Sequence, residues 1–273
     1  MPTGERRPRF AAWVGIDYSG AATADTRLPG LRACVATADG EPVEARPIDG
    51  GHWTRRMLAQ WMETWIATGP PTLFGIDYGL GFPEEWWGGD DPGWDGLLDR
   101  FVARFPADQP GITVRALRAA EGEAGNARWR RACDRGAGAK SIFHFDVPGS
   151  VATSTHAGLA FIRGLRKRAG NRLHVWPFDG IDPPQGVHVL AEAWPTPFRD
   201  VLPRSDRSAD LHDARCLAVA LRNADRNGTL EHWLAVEEAA ASNSSRGEGW
   251  ILGLGEHFGV ARKVDSRAFV HRL

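Results

Sequence analysis

Five carboxylates stand where an apolar element of the chain ends or turns: Asp17 in GIDYSG, Asp77 in GIDYGLGFP, Glu192 in VLAEAWP, and Asp210 with Asp213 in DLHDARC. Carboxylates gathered at the ends of buried elements resist ionising unless a cation or hydrogen-bond donors compensate them. A shared site of this kind calls for bound metal, strong hydrogen bonds or raised pKa values. Hard divalent ions such as Mg²⁺ or Mn²⁺ take oxygen ligands, and two-metal nucleases hold a pair of them about 3.5–4 Å apart. Each acid alone is explained by a helix cap, a turn or a surface ion pair; only the five together point to a shared site.

Elements with a readable pattern must bring the five together. FAAWVGID, residues 10–17, is an apolar run closed by Asp17, and LRACVATAD and EPVEARPID follow as strands across the hairpin signal Asp39-Gly40. In WTRRMLAQWMETWIATG, Trp53, Met57, Trp61 and Trp65 recur at steps of four, which predicts a helix ended by Gly69 and Pro70-Pro71. PTLFGID repeats the first pattern and is predicted to lie parallel to the first strand, the helix being the crossover. Asp17 and Asp77 then occupy the same ends of neighbouring strands. Asp210 and Asp213, three apart on the clearest helix of the chain, DLHDARCLAVALRNADRNG, offer two ligands from one face.

Elsewhere the pattern is coarser. Residues 84–140, with EEWWGGDDPGWDG, a weak helix at Leu97–Phe105 and the arginines of ARWRRACDRGAGAK, read as an insertion over the site. STHAGLAFIRGLRKRAG predicts a helix capped by Ser154 or Thr155, and RLHVWPF and GVHVLAEAWP predict strands. From Thr229 a further helix, a polar break at SNSSRGEG and the apolar piece WILGLG follow.

Composition narrows the function. A chain of 273 residues with a formal net charge of −1 is an ordinary globular sequence, and its overall field does not hold it to nucleic acid; a local basic groove remains open. Three scattered cysteines exclude a disulfide framework or a CxxC zinc site and point to a reducing, cytoplasmic home. The charged start MPTGERRPRF lacks a signal-peptide core, and there is no apolar run of membrane-spanning length. Most of the twelve tryptophans lie at helical or strand spacing among apolar neighbours, as core residues do.

A first strand ending in aspartate, a meander, a helix, a second strand ending in an acid, and a late helix opening DxxDA resemble the ribonuclease H-like superfamily. The motifs are GIDYSG, GIDYGLGFP and DLHDARCLAVAL; with FHFDVPGS, HVWPFDG, AEAWPTPF and EGWILG, the chain is most similar to the predicted-nuclease family called domain of unknown function 429. The resemblance implies an α/β ribonuclease H-like domain with a central mixed sheet flanked by helices over residues 10–254, and a tail at 255–273. It implies a Mg²⁺- or Mn²⁺-dependent nuclease acting on DNA or RNA, with Asp17, Asp77 and Asp213 catalytic and Asp17, Asp77, Glu192, Asp210 and Asp213 on the metal. Phosphate contacts are then expected from Arg128, Arg130, Arg131, Arg135 and Lys140, or from Arg163, Arg166, Lys167 and Arg168, with Trp129 stacking a base. Against the neutral overall balance, a solvated charged face is the favoured account of either run.

Other readings stay open. GIDYSG also resembles the first phosphate segment of actin-like and sugar-kinase ATPases, which makes an ATP- or phosphate-binding enzyme the rival; a nucleic-acid-binding module without turnover is the non-enzymatic one. The two GIDY copies, however, are separated by only three strands and a helix, too little for the first of two ATPase domains. His144, His156, His174, His188 and His212 show no zinc spacing and read as core or capping residues. His212, between two candidate ligands, invites a proton-carrying role against that of a helix-surface residue. Ser19, without a nucleophile elbow, reads as a hydrogen-bonding hydroxyl.

Overall fold

The apolar run ending in Asp17 is buried because it forms a central strand, covered by helices on both faces. In the computed structural model, which describes residues 7–88, 90, 92–122, 124–204, 207–235 and 247–253, the strands are β1 (Ala12–Asp17), β2 (Arg32–Thr37), β3 (Val43–Ala45), β4 (Thr72–Ile76), β5 (Leu173–Trp176) and β6 (His188–Glu192). They form one mixed sheet in the order β3-β2-β1-β4-β6-β5. The meander β1–β2–β3 is antiparallel, whereas β1, β4, β6 and β5 run parallel, so the protein is α/β. The helices are α1 (Arg55–Thr68), α2 (Glu84–Trp87), α3 (Gly93–Arg104), α4 (Val114–Glu121), α5 (Ala132–Ala137), α6 (Ala152–Ala169), α7 (Ala209–Asn227) and α8 (Thr229–Leu234). No described helix is long and apolar enough to cross a membrane. The amino-terminal six residues, SNSSR of the expected polar break, and the expected tail at 255–273 lie outside the described residues.

Strand alternation divides the core. Val14, Ile16 and Tyr18 of the first GIDY segment, with Phe74, Ile76 and Tyr78 of the second, pack on the face covered by α1 and α6. Trp13 and Leu73 pack on the opposite face with Leu217, Ala218 and Leu221 of α7. The repeated tetrapeptide is thus read in register: Gly15 pairs with Gly75 and Ile16 with Ile76, and the rings of Tyr18 and Tyr78 meet edge to face at 4.6 Å.

Helix α7 runs the length of β1. Ser208 starts it by accepting the Leu211 N–H at 3.3 Å, and Gly228, in the left-handed region at φ 85°, stops it. At its far end buried Asp225 accepts the N–H groups of Arg9 and Phe10, at 2.8 and 2.9 Å, and the Trp13 indole N–H at 3.2 Å. In between, α7 comes so close to the sheet that a Cβ at Gly15 would lie 2.3 Å from the Ala214 carbonyl oxygen and 2.6 Å from the Ala218 nitrogen.

Two expectations change here. The weak helix begins earlier, as α3, and the insertion packs α3 and α4 on α6, on the face of the sheet opposite α7. Helix α6 begins before Ser154 and Thr155, at Ala152, so neither is its cap. The Ser154 hydroxyl instead donates to the Tyr18 carbonyl at 3.0 Å, and the Thr155 hydroxyl accepts the Gly79 N–H at 3.1 Å. One turn of α6 thereby fixes the chain just after both GID segments.

Replacing Gly15 by Ala forces backbone apart and should destabilise the protein by about 1–3 kcal/mol or more in urea unfolding. Gly75→Ala meets no backbone atom, its nearest neighbours being Leu221 Cδ1 at 3.0 Å and Ala193 Cβ at 3.1 Å, and should cost clearly less. Equal losses would contradict the close approach at Gly15.

Candidate active site

The three parallel strands β1, β4 and β6 end together, the place where open α/β sheets present ligand-binding residues. Asp17 is the last residue of β1, and Asp77 follows β4 with its N–H donated to the Ile16 carbonyl at 3.0 Å. Both side chains take the parity of Gly15 and Gly75 and so face α7. Each is half-buried, and neither carboxylate has a hydrogen-bond or ion-pair partner among the described residues. Burial, then the charges of Asp77, Asp210 and Asp213, push Asp17 up to about 8 against the opposing charge of Arg199. Burial, then Glu192 and Asp213, push Asp77 up to about 7, Arg199 again opposing.

Asp213, one turn into α7, is 7% exposed and bound by Arg199, a residue that no sequence pattern singles out. Arg199 donates from Nε to both its oxygens, at 2.8 and 3.1 Å, and from Nη2 to Oδ2 at 2.5 Å. Asp210, a turn earlier, lies half-buried beside Gly30 and Ser19, with its Oδ2 3.5 Å from where a Gly30 Cβ would stand. Asp17, Asp77, Asp210 and Asp213 therefore share one neighbourhood, although the described residues contain no preformed cluster of three metal-ligating side chains.

Glu192 is close enough for its charge to act on Asp77, but its carboxylate is taken by other groups and does not join the four as a ligand. Its register partner is Ile76, so it points to the α6 face, away from the side that Asp77 takes. There Arg131, fully buried, donates Nη1 to its Oε2 at 2.6 Å and Nη2 to its Oε1 at 2.7 Å, while the Leu80 N–H adds a third bond at 3.0 Å. The same guanidinium grips Asp134 through Nε at 3.1 Å and Nη2 at 2.8 Å. Glu192 is thus the anchor of a buried ion pair that ties the insertion to the sheet, and Arg131 is withdrawn from any phosphate.

The remaining basic residues divide similarly. Arg130, Arg135 and Lys140 donate to backbone carbonyls of Asp134, Arg130 and Pro148, Arg128 is exposed, and Trp129 is half-buried with its ring edge-on to Phe143. Arg163, Arg166 and Lys167 lie along α6, Arg166 roughly 18 Å beyond Ser154 at helical rise. They pair with Asp99, Asp179 and Asp95 around a cavity of about 640 Å³, and Arg168 pairs with Glu63. Helix α6, which carries that run, packs on the sheet face opposite the one toward which Asp17 and Asp77 point.

The histidines separate as well. His156 is caged by Phe101, Phe105, Phe143 and Phe145, His174 binds the Gly180 carbonyl, and His188 packs by Phe74. His212 is buried with Nε2 2.8 Å from the Arg199 carbonyl, so it holds the loop that carries Arg199. The Ser19 hydroxyl accepts the Ala21 N–H at 3.5 Å.

No protein-family model, curated protein or solved structure matches the chain.

An acid with a higher pKa in the folded than in the unfolded chain holds its proton more tightly when folded. Its contribution to stability is complete below the unfolded value and is lost as pH rises through the folded one. Without divalent cations, the stability of Asp17→Asn relative to wild type should therefore increase from about pH 4 to about pH 8, read as the difference in Tm. A difference independent of pH would contradict the strained pair of acids.

Proposed function

We propose that the protein is a divalent-cation-dependent hydrolase of phosphodiester bonds in DNA or RNA, built on a ribonuclease H-like core. The observation that carries this reading is the pair Asp17 and Asp77: two half-buried carboxylates at the ends of adjacent parallel strands, without a hydrogen-bond or ion-pair partner among the described residues, each pushed upward by burial and by neighbouring acids. The donor set is all oxygen, which suits Mg²⁺ or Mn²⁺. The core reading is supported by the sheet order, an antiparallel meander continued by parallel strands through a crossover helix, with an acid-bearing late helix laid on the first strand.

In this reading Asp17 and Asp77 form the fixed part of the cation site, because their strands are hydrogen-bonded to each other and their following turns are clamped by Ser154 and Thr155. Asp213 adds a ligand from α7, and Asp210 stands within reach of the same charge. Bound ions would activate a water and offset the charge developing on the leaving oxygen. The carboxylates hold and orient; none attacks. Exposed Arg128 and neighbouring Trp129 precede the Arg131 anchor and are the groups open to a phosphate and a base.

With Mg²⁺ or Mn²⁺ supplied, the purified protein should cleave labelled DNA or RNA, and EDTA should stop it. Asp17→Asn should lower the rate by more than about 100-fold, the upper end of what loss of an outer-shell partner costs. Absence of cleavage by the wild type with either metal, or cleavage that survives in Asp17→Asn, would overturn the reading. Protection by nucleotide against unfolding, or nucleic-acid binding that survives chelation, would then point to the rival enzyme or the binding module.

A further inference from the structure

We propose that Arg199 is a resident counter-cation, which a divalent ion must displace from Asp213 before that acid can serve as a ligand. The inference rests on the functional reading above and concerns what the cation-free site contains. Both oxygens of Asp213 already accept from Arg199, and an ion bound to them at about 2.0–2.1 Å would crowd and repel the guanidinium cation held on the same carboxylate. Arg199 also faces Asp17 and Asp77, so its single positive charge is shared among three acids.

The way Arg199 is held makes it displaceable. Its carbonyl is pinned to α7 by His212 Nε2 at 2.8 Å and by the Cys216 thiol at 3.5 Å, which fixes the backbone. Its side chain is 42% exposed, whereas that of Asp213 is 7% exposed, so the guanidinium can turn into water while the carboxylate stays. The contrast within this protein is Arg131: its side chain is 0% exposed, forked between two carboxylates and unable to leave without stranding charge in the core. Water can therefore take over the guanidinium when a divalent ion takes over the buried carboxylate. Once released, the guanidinium remains anchored at the mouth of the acidic site, where it is available to an anionic substrate.

The test is Mg²⁺ binding by the full chain, measured by calorimetry, with the Arg199 Nε–H resonance followed by NMR in the wild type. Arg199→Gln removes the competitor and should bind Mg²⁺ roughly fivefold more tightly than wild type, the gain expected from losing a competing pair of this exposure. Arg199→Lys, which keeps a charge, should stay near the wild-type affinity. In the wild type, which needs no substitution to be informative, the Nε–H resonance should move to the position of a solvated arginine as Mg²⁺ saturates. Mg²⁺ binding with that resonance unmoved, or an Arg199→Gln affinity no tighter than wild type, overturns the counter-cation and leaves the functional reading intact. No Mg²⁺ binding by any of the three proteins overturns both.

Discussion

Helix α7 can lie on β1 at backbone distance only because position 15 has no side chain. Everything at the acidic end follows from that approach. Asp225 ties the far end of α7 to the start of β1, Gly15 lets the middle sink, and the first turns then carry Asp213 and Asp210 to where Asp17 ends the strand. Gly75 continues the groove onto β4 and keeps Asp77 on the same side. On the other face, Ser154 and Thr155 of α6 hold the two turns beyond the acids. The candidate site is therefore built by two helices clamping one pair of strand ends.

Two solutions to burying a carboxylate stand side by side here. Glu192 is compensated permanently: a fully buried guanidinium and a backbone N–H take its oxygens, and the pair joins the insertion to the sheet. Removing one partner from such a pair strands a charge, and the pair has no other task. Asp17 and Asp77 have no direct partner among the described residues and only the distant charge of Arg199 to offset them, an arrangement that costs stability at neutral pH and is relieved when a cation or a proton arrives. Asp213 lies between these extremes, its compensation supplied by an arginine that water can reach.

Much of this was legible in the sequence. The order of elements, the parallel placement of the two GID strands and the pairing of Asp17 with Asp77 came from apolar runs, a hairpin signal and a helix of crossover length. The two copies of GIDY are neighbouring strands that need the same residues in register: a glycine toward α7, an isoleucine toward α6, an acid at the end and a tyrosine to pack on its twin. Glu192 misled because an acid at a strand end reveals its face only once the register with β4 is known, and register is a tertiary property. Ser154 and Thr155 misled because a hydroxyl near a helix start reads as a cap, whereas here the helix starts earlier and the hydroxyls are spent on another segment. Arg199 had no periodic signal, since it follows a single 3₁₀ turn (Thr196–Phe198) in the loop between β6 and α7. The fork of Arg131 between Asp134 and Glu192 spans 61 residues and was equally hidden.

Asp17 and Asp77, which have no direct partner among the described residues, are proposed to be held for a cation. Crystals grown with Mn²⁺ and measured by anomalous scattering test this most directly. The account predicts an anomalous peak bonded to oxygens of both Asp17 and Asp77. An acidic end without manganese, in crystals saturated with the ion, would contradict it.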